Sequence, residues 1–589
     1  MTQTEHTFTR TPEGHLSLHT PHYSILIPPE RPYAQLRDAQ GNLWTELFLA
    51  FSAHTLQGQD RTARIEPEVQ GNTVTFKLLG GVWQEKRLHF TFHEDRIDIT
   101  PEVQGTGDLT DLHYLGGYYS GHLRWGSGFF QSGTRFGRVF NPEPHGQERR
   151  TIPAAESTTI DVMGTSIPGK AHWFFTPAPY FYAFTQDQSP PALSLGADQG
   201  GSPLETALSG NSDLWMTAGL KVQDGMHHFT GFHYHGTEGA YSLSLSYEGH
   251  TRIEGHFTMP TLQIAFAPDP YQGLEDYVRK LGIPDKPQQP NWWFTPIQCG
   301  WGAQCYTAQV KGTRAPEECT EANYNHYLEV LSSQQIHPGI LVLDDKWSST
   351  YGTCEVDRQK WPNLERWIEA AHARGQKVLL WWKAWDPEGL PTEACVLNDL
   401  DEPIAADPTS PVYRNILQKA VRTMLLDYGA DGFKVDFSAR TPSGPGLKVN
   451  GPKWGVELLH ELLKILHDEA KRVKPDALVM THTPNPYFHD VTDMVRLNDV
   501  NTGQDVVSQM RHRFRVARAA LPHHPIDTDN WPMPGKQAWR DYVALQPELG
   551  VPSLYFVSHL DGSKEALTEE DYRLVREVWA QHAEKRTLL

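Results

Sequence analysis

Two charged residues, Lys434 and Asp436, stand two positions apart at the carboxyl end of the short apolar segment 431–437. Residues two apart leave the same face of a β-strand, so the lysine lies beside the aspartate. A nearby positive charge keeps a carboxylate ionised, which is the state that a carboxylate nucleophile needs at neutral pH. Taken alone, the pair is more typical of a structural ion pair at a strand end or of an aspartate that caps the next helix.

Such a pair gains meaning if other strands bring further side chains to the same place. From residue 292 onward, short apolar segments alternate with segments of helical periodicity. Eight β–α units are the pattern of a (β/α)8 TIM barrel, whose catalytic groups lie at the carboxyl ends of its strands. The predicted strands span 294–298, 339–343, 377–382, 432–437, 477–481, 494–497, 525–528 and 553–557. Helices are predicted between them, such as 363–374, 412–428 and 455–472, and a last helix runs from 569 to about 585.

Charged and aromatic residues directly follow most of these predicted strands. Carboxylates accept hydrogen bonds from hydroxyl groups, lysine and arginine donate them, and indole rings stack on the apolar faces of sugars. Each residue alone also has a structural explanation, such as a helix cap for Asp344 or Asp345, an ion-pair partner for Arg496 or a buried, hydrogen-bonded histidine for His482. Together at one mouth of a barrel they favour a site for a polyhydroxylated ligand. The candidate ligands are Trp301, Asp344, Asp345, Trp347, Trp382, Lys434, His482 and Arg496.

Glycoside hydrolysis is the chemistry that these strand ends suggest, because it needs two carboxyl groups in different protonation states. One is ionised and attacks the anomeric carbon, and the other keeps its proton until it donates it to the leaving oxygen. Asp436 beside Lys434 suits the first role, and Asp499 suits the second. Arg496 tends to keep Asp499 ionised, and the sequence does not indicate what would raise the pKa of this aspartate. Asp505 is the alternative acid.

The amino-terminal half of the chain has a different pattern. Residues 1–270 contain many short segments that alternate with period two, such as 73–79 and 240–246, separated by clusters of Gly, Pro, Asp and Asn. This pattern predicts a large β-sandwich. Residues 271–290 predict a helix at 271–281 and a proline-rich linker, and residues 291–589 form the predicted catalytic barrel.

Three motifs of the predicted barrel resemble those of a clan of retaining α-glycosidases. The clan holds the melibiase-type α-galactosidases of glycoside hydrolase families 27 and 36 and the α-glucosidases and α-xylosidases of family 31. Leu-Val-Leu-Asp-Asp-Lys-Trp at 341–347, with the Lys-Trp-Pro at 360–362 and the helix that follows, is similar to the Asp-Asp-x-Trp strand of the α-galactosidases. Phe-Lys-Val-Asp-Phe at 433–437 is similar to the nucleophile strand of both groups, and 493–499 resembles an Arg-x-x-x-Asp segment.

The resemblance implies a role for each matching residue. Asp436 would be the nucleophile, Asp499 the acid/base, and Lys434 and Arg496 ligands of the sugar. The paired acids Asp344 and Asp345 would hold hydroxyl groups of a terminal galactose. The resemblance also implies a β-sandwich before the barrel, and assembly into homo-oligomers, which is frequent in family 36.

The chain departs from the α-galactosidase pattern in three places. The spacing from Arg496 to Asp499 is one residue shorter, the segment after Asp436 is more like that of the α-xylosidases, and no separate carboxyl-terminal β-domain is expected. An α-glucosidase or α-xylosidase is therefore the alternative enzyme. A non-catalytic carbohydrate-binding barrel is the alternative of another class, and transglycosylation would use the same residues as hydrolysis.

Composition excludes several other classes of protein. The net charge of −19 argues against nucleic acid and anionic membranes as partners. No apolar run has the length of a membrane span, no secretory signal is visible at residues 1–8, and five cysteines without a Cys-x-x-Cys suggest reduced thiols. No clustered metal-ligand spacing, phosphate-binding loop or dinucleotide fingerprint is present.

These observations combine into one expectation. We expect a cytoplasmic, retaining exo-α-glycosidase, an α-galactosidase in the first place, that needs no metal or cofactor and binds an oligosaccharide or glycoside. Trp301, Trp347 and Trp382 are expected to shape its pocket.

Overall fold

The computed structural model describes residues 7–587 except residues 30, 123–125, 144–145, 149, 163–176 and 187–213. The chain divides into two compact units. The first, here called the sandwich unit, comprises Met1–Pro142, Arg150–Asp161 and Tyr180–Gly282. The second, the barrel unit, comprises Glu143–Arg149, Val162–Pro179 and Ile283–Leu589.

The described part of the sandwich unit is a large antiparallel β-structure of twenty strands, followed by one helix, α1 (Pro270–Leu281). This is consistent with the predicted sandwich, and α1 matches the helix predicted at 271–281. The strands are β1 (Thr9–Arg10), β2 (Leu16–His19), β3 (Tyr23–Ile27), β4 (Tyr33–Asp38), β5 (Leu43–Phe48), β6 (Ser52–Thr55), β7 (Arg64–Gln70), β8 (Thr73–Leu79), β9 (Glu85–Phe92), β10 (Arg96–Tyr114), β11 (Gly116–His122), β12 (Gly126–Thr134), β13 (Arg138–Phe140), β14 (Ile152–Pro153), β15 (Thr158–Asp161), β16 (Phe181–Thr185), β17 (Trp215–Lys221), β18 (Gly231–Thr237), β19 (Ala240–Thr258) and β20 (Thr261–Ala267).

Alternation of apolar and polar residues decides which face of these strands is buried. In β9, every second side chain from Lys86 to Phe92 is buried, as the two-residue period of a strand requires. The two longest strands, β10 and β19, pair from Glu102 with Thr258 to Tyr114 with Leu243, with one irregularity. The described part of this unit contains a fully buried ion pair: Lys86 Nζ is 2.6 Å from Asp60 Oδ2, and neither side chain is exposed.

The barrel unit contains the eight predicted strands in one parallel sheet. They are β21 (Ile297–Cys299), β22 (Ile340–Leu343), β23 (Lys377–Lys383), β26 (Gly432–Asp436), β27 (Leu478–Thr481), β28 (Met494–Arg496), β29 (Ile526–Asp527) and β30 (Ser553–Leu554); an antiparallel hairpin, β24 (Cys395–Leu397) and β25 (Pro403–Ala406), lies between the third and fourth. From β21 to β29 each barrel strand pairs with the next barrel strand along the chain, and β30 pairs with β21. Between β29 and β30 there is a single bridge, from Asp527 to Val551, so the barrel is nearly closed.

Helices separate the barrel strands as predicted. They are α2 (Trp301–Lys311), α3 (Glu321–Ser333), α4 (Leu364–Ala373), α5 (Pro411–Arg422), α6 (Gly455–Val473), α7 (Val506–Ala520), α8 (Lys536–Leu549) and α9 (Glu569–Thr587). The predicted helix 412–428 is α5 followed by a π-helical turn, Thr423–Asp427. Proline at the first position of α5 and the Ser410 hydroxyl, which accepts from Tyr413 N–H, start that helix where the sequence predicts it. None of the described helices has the length and apolarity to cross a lipid bilayer.

Two buried aspartates link neighbouring barrel strands by hydrogen bonds at the amino-terminal ends of the strands. Asp431, just before β26, accepts the Val378 N–H of the neighbouring strand at 2.9 Å, together with the amino groups of Lys377 and Lys474. Asp493, just before β28, accepts the Val479 N–H of β27 at 2.8 Å. These hydrogen bonds hold the register of neighbouring strands. This role is structural, because the chemistry of such barrels takes place at the opposite end.

The surroundings of Asp493 favour its ionised form. Burial alone would raise its pKa, but the hydrogen bond from His467 and the charge of Lys471, whose Nζ is 2.6 Å away, outweigh it and lower the pKa to about 2. A carboxyl group whose folded-state pKa is lowered stabilises the fold above its unfolded-state pKa, and this stabilisation is lost as the pH falls towards 2.

We therefore expect Asp493→Asn to lower the free energy of unfolding at pH 7 by about 2 kcal/mol, because Lys471 keeps its charge and loses its partner. Denaturant unfolding followed by tryptophan fluorescence measures this. The control is Asp468→Asn on α6, whose partner Lys464 is 2.9 Å away and whose side chain is 56% exposed; its expected cost is below about 0.5 kcal/mol. Equal losses in the two variants would contradict the role given to Asp493.

Candidate active site

A cavity of about 420 Å³ opens at the carboxyl ends of the barrel strands. This is within the size range of small-molecule sites, and its lining combines charged groups with aromatic rings, as binding sites for polar ligands do. The lining residues are Trp301, Asp344, Asp345, Trp381, Lys434, Asp436, Phe437, Asp499, Val500, Trp531 and Pro532. Six of the ten predicted site residues are among them.

Asp436, the predicted nucleophile, is the last residue of β26 and points into the cavity. Its Oδ2 accepts from the Trp381 indole N–H at 3.1 Å, and its Oδ1 accepts from Arg496 at 3.1 Å and from the Phe437 N–H at 2.9 Å. Burial alone would raise the pKa of Asp436, but the charges of Arg496, His482 and Lys434 outweigh burial and lower this pKa to about 2. The group is therefore an ionised carboxylate at neutral pH.

Lys434 leaves the same face of β26 two residues earlier, as the spacing predicts, but its direct partner is Asp344. Lys434 Nζ is 2.7 Å from Asp344 Oδ2 and 3.4 Å from the Cys299 sulfur, and the Cys299 thiol also donates to Asp344 Oδ2, at 2.9 Å. Asp344 is only 2% exposed. Because these two donors occupy Oδ2 and the Asp345 N–H occupies Oδ1, the carboxylate of Asp344 has a fixed orientation.

Asp345, the second of the paired acids, differs from Asp344 in its environment. Its Oδ1 accepts from the Tyr351 hydroxyl at 2.7 Å, and no cation lies at hydrogen-bond distance in the described residues. Burial and the nearby charges of Asp344 and Asp436 raise the pKa of Asp345 to about 6, although the Tyr351 hydrogen bond and Lys383 oppose this. The two adjacent acids therefore differ: Asp344 is held by Lys434 and Cys299, whereas Asp345 has a raised pKa and accepts a hydrogen bond from a hydroxyl group.

Arg496, at the end of β28, connects the carboxyl groups of the site. One of its terminal nitrogens, NH2, donates to Asp436. The other, NH1, is 2.8 Å from Asp529 Oδ2 and 3.4 Å from Asp499 Oδ1. The side chain is 1% exposed, so one buried guanidinium group contacts three carboxyl groups at once.

Asp499, the predicted acid/base, has the opposite electrostatic character to Asp436. Burial, the charge of Asp529 and the charge of Asp436 raise the pKa of Asp499 to about 7, while Arg496 and Lys434 act in the other direction. Its side chain remains 30% exposed, at the cavity. The same guanidinium group therefore lies between a carboxylate that is ionised and a carboxyl group that keeps its proton near neutral pH.

Backbone conformation helps to aim these two acids. Phe437, next to Asp436, and Asn498, next to Asp499, have φ values of 61° and 63°, in the left-handed region that residues other than glycine rarely adopt. Such strain is concentrated at functional sites and persists where the surroundings impose it. For Asn498 the surroundings include Arg513 of α7, whose NH1 donates to the carbonyl groups of residues 497, 498 and 499.

Four of the predicted site residues lie outside the cavity lining: Arg496, described above, two tryptophans and a histidine. Trp382 points away from the cavity. Trp381 pairs with Lys434, which lines the cavity, whereas Trp382 pairs with Val435. Because successive residues of a strand leave opposite faces of the sheet, Trp382 lies on the other face from Trp381. Trp347 is buried and donates its indole N–H to the Trp381 carbonyl at 2.8 Å, behind the cavity. His482 is fully buried, with its Nε2 3.6 Å from Asp436 Oδ1.

Several residues around the cavity were not indicated by the sequence. Trp381, which donates to Asp436, follows from strand register, because it has the parity of Lys434. Asp529 belongs to the carboxylates after the seventh strand, but nothing in the spacing shows that it contacts Arg496. Trp531 lines the cavity 5.8 Å from the ring of Trp301 and had no signal beyond its place in a loop.

The alternative acid, Asp505, has a structural role. It is the N-cap residue of α7, where its Oδ1 accepts from the Ser508 N–H at 2.7 Å, and it is exposed. It is not among the residues that line the cavity. The geometry therefore favours Asp499 over Asp505 as the group that could act on a ligand.

One group of side chains in the described residues has the composition of a metal site, in the sandwich unit rather than here. His54, Asp111 and His113 each offer a ligand atom within 4.8 Å of the others. However, His54 Nδ1 accepts from the Asp60 N–H at 2.8 Å, so a neutral His54 carries its proton on Nε2 and has no lone pair left for a cation. These residues do not fit a metal ion. All five cysteines are free thiols.

Comparison with solved structures finds the same fold in glycoside hydrolases. The family GH36 α-galactosidase AgaB from Geobacillus stearothermophilus matches 98% of this chain and 86% of its own, at 13% identity and a TM-score of 0.55. A GH31 family sulfoquinovosidase from E. rectale, in complex with an aza-sugar inhibitor, matches 98% of this chain and 82% of its own, at 10% identity and a TM-score of 0.56.

A cycloalternan-forming enzyme from Listeria monocytogenes, in complex with a pentasaccharide substrate, matches 95% of this chain at 9% identity and a TM-score of 0.54, and this chain spans 56% of its length. No protein-family model and no curated protein matches the sequence. At these identities the similarity concerns the fold. The chain thus has the fold of solved glycoside hydrolases: an antiparallel β-structure followed by a parallel barrel.

Proposed function

We propose that the protein is a retaining, exo-acting α-glycosidase and that its substrates are terminal α-galactosides. The observation that carries this proposal is the pair of carboxyl groups at one cavity in opposite protonation states. Asp436 has a pKa of about 2 and Asp499 a pKa of about 7, and both contact Arg496. A nucleophile that is ionised and an acid that keeps its proton are what double displacement at an anomeric carbon requires.

In the first step, Asp436 attacks the anomeric carbon while Asp499 donates its proton to the glycosidic oxygen. The bond from that carbon to the oxygen breaks, the aglycone leaves as an alcohol, and the sugar becomes an ester of Asp436. In the second step, Asp499, now ionised, takes a proton from a water molecule, and the resulting hydroxide displaces Asp436. The products are the free sugar with its original anomeric configuration and the enzyme in its starting protonation state.

The proposed sugar specificity rests on the two adjacent acids. Asp344 is held by Lys434 and Cys299, and Asp345 keeps an oxygen that the described side chains leave unoccupied. Two carboxyl groups side by side can accept from the axial and the primary hydroxyl of galactose together. The similarity in fold to a GH36 α-galactosidase supports this choice.

An α-glucosidase or α-xylosidase is the second candidate. The similarity to a GH31 family enzyme, with a TM-score of 0.56, favours it. The two candidates share the mechanism and differ in the sugar, so one substrate panel separates them.

We expect the protein to hydrolyse an aryl α-galactoside faster than the matching α-glucoside and α-xyloside. Asp436→Asn should lower kcat by about 10⁴-fold or more, because the amide cannot form the ester intermediate. Initial rates on the three substrates, and ¹H NMR of the anomeric proton first released, measure this. Preference for the glucoside or xyloside would favour the second candidate, and full activity of Asp436→Asn would contradict the mechanism.

The assignment of the acid/base has its own test in two Asp→Asn variants. Asp499→Asn should lower kcat/KM for substrates with poor leaving groups by about 10² to 10⁴-fold, and less for activated aryl glycosides, because these need little protonation. Asp505→Asn is the matched control and should keep activity within about twofold, since Asp505 only caps α7. The opposite order of losses would assign the role to Asp505.

The pH dependence of activity follows from the two pKa values. The acid must be protonated, so kcat/KM should be at its plateau below the pKa of Asp499 and fall tenfold per pH unit above about 7. Rates measured between pH 4 and 9 on an unactivated galactoside give this alkaline limb. Its persistence in the residual activity of Asp499→Asn would show that another group titrates there.

A further inference from the structure

Arg496 presents a difficulty for any acid that stands next to it. A positive charge at 3.4 Å favours the ionised form of Asp499, whereas the proposed mechanism needs the protonated form. The sequence alone raises this conflict and contains no answer to it. Something in the cavity must offset the effect of the guanidinium group.

The geometry around Arg496 points to Asp529. NH1 lies 2.8 Å from Asp529 Oδ2, which is a full hydrogen bond, and 3.4 Å from Asp499 Oδ1, which is a weak one. Asp529 has no exposed surface and accepts two further hydrogen bonds, from the Tyr555 hydroxyl at 3.0 Å and the Trp531 N–H at 3.1 Å. Both oxygens of Asp529 therefore accept hydrogen bonds, and all of these contacts come from donors.

A count of charges leads to the same residue. Among the described residues, two buried cations, Lys434 and Arg496, contact the carboxyl groups at the cavity, which are Asp344, Asp345, Asp436, Asp499 and Asp529. A third buried cation, Arg513, donates to the backbone carbonyl of Asp499. Direct contacts assign Lys434 to Asp344, and Arg496 to Asp436 and Asp529. Three carboxyl groups already share these two cations as direct partners, so a further ionised group in this poorly solvated place is unfavourable.

We propose that Asp529 is a positioning residue of this site: it engages the charge of Arg496 at NH1 and thereby leaves Asp499 in the protonated form that a general acid needs. The inference rests on the proposed function, in which Asp499 is the acid. Asp529 does not line the cavity and acts through Arg496.

Other charged or titratable groups also face Asp499 and have to be considered. Asp436 and Lys434 act from β26 with opposite signs. Arg513 on α7 donates to the Asp499 carbonyl at 2.7 Å. The charge of Asp499 contributes to the raised pKa of the Cys305 thiol on α2, after burial and other carboxyl groups. None of these groups contacts Arg496 at NH1, so none can replace Asp529 in the proposed role.

The test is the alkaline limb of kcat/KM in Asp529→Asn. The amide can still accept from Arg496 but carries no charge, so Asp499 should ionise more easily and the limb should move to lower pH by at least one unit. At pH values above both limbs, kcat/KM of Asp529→Asn should therefore be at least tenfold lower than that of the wild type. At pH 5 the two values should be nearly the same. Asp529→Ser, which leaves room for a water molecule, should show the same displacement.

The matched control is Asp527→Asn, two residues earlier and equally buried. Both hydrogen bonds that this carboxyl group accepts, from the Asp529 N–H and the Ser553 hydroxyl, are on Oδ1 and can be kept by an amide. Its limb should coincide with that of the wild type. A limb at the wild-type pH in both Asp529 variants, or a loss equal at every pH, would overturn the proposal.

A second readout does not depend on activity. A buried carboxyl group with a raised pKa destabilises the fold progressively as pH rises from its unfolded-state pKa to its folded-state pKa. The thermal midpoint of Asp499→Asn minus that of its parent should therefore rise from pH 4 to about 7 and then level off. In the Asp529→Asn background it should level off at least one pH unit lower, and an unchanged profile would overturn the proposal even if no glycoside is hydrolysed.

Discussion

The buried guanidinium group of Arg496 is the constraint on which the candidate active site depends. It contacts three carboxyl groups within 3.4 Å and has almost no access to water, so the state of each group depends on the states of the other two. If all three were ionised, a single positive charge would face three negative ones in a poorly solvated environment, which is costly. The least exposed contacts, with Asp436 and Asp529, are the shorter ones, and the proton remains on the most exposed group, Asp499. The two chemically identical side chains Asp436 and Asp499 thus differ in protonation because they share one cation with a third carboxyl group, Asp529, in a buried environment.

The two ends of the barrel use aspartate in contrasting ways. At the amino-terminal ends of the strands, Asp431 and Asp493 have an excess of cationic partners and also accept a backbone N–H from the neighbouring strand. Their charges are fully compensated, and their work is to hold strand register. At the carboxyl ends, carboxyl groups outnumber cations, which leaves some of them with raised pKa values and available for proton transfer. The same residue type stabilises one end and provides reactivity at the other because the ratio of opposite charges differs.

Much of this arrangement could be predicted from the sequence, for reasons that are local. The eight barrel strands and the position of Asp436 follow from apolar segments, helix signals and the rule that catalytic groups follow parallel strands. Trp382 was predicted to shape the pocket, but its neighbour Trp381 lines it. Strand register decides which of two adjacent side chains faces the cavity, and this register depends on the neighbouring strand. The contact of Asp529 with Arg496 could not be predicted, since it depends on side-chain directions from two strands. The raised pKa of Asp499 could not be predicted either, because it results from several groups that only the folded chain brings together.

The single bridge between β29 and β30 has a consequence for how the site would lose its integrity. Two backbone hydrogen bonds, Thr528 N–H to the Val551 carbonyl and Val551 N–H to the Ile526 carbonyl, join the strands there. Side chains add to them: the Ser553 hydroxyl donates to Asp527, Tyr555 to Asp529, and Tyr542 to the Thr528 carbonyl. This seam is where the barrel can open locally at the lowest cost, with fast amide hydrogen exchange as its signature. Opening it would remove the Tyr555 hydroxyl from Asp529, while β29 stayed paired with β28, the strand that carries Arg496. On heating, the site would then lose part of the hydrogen bonding that holds Asp529 before the fold itself is lost, and inactivation would precede unfolding.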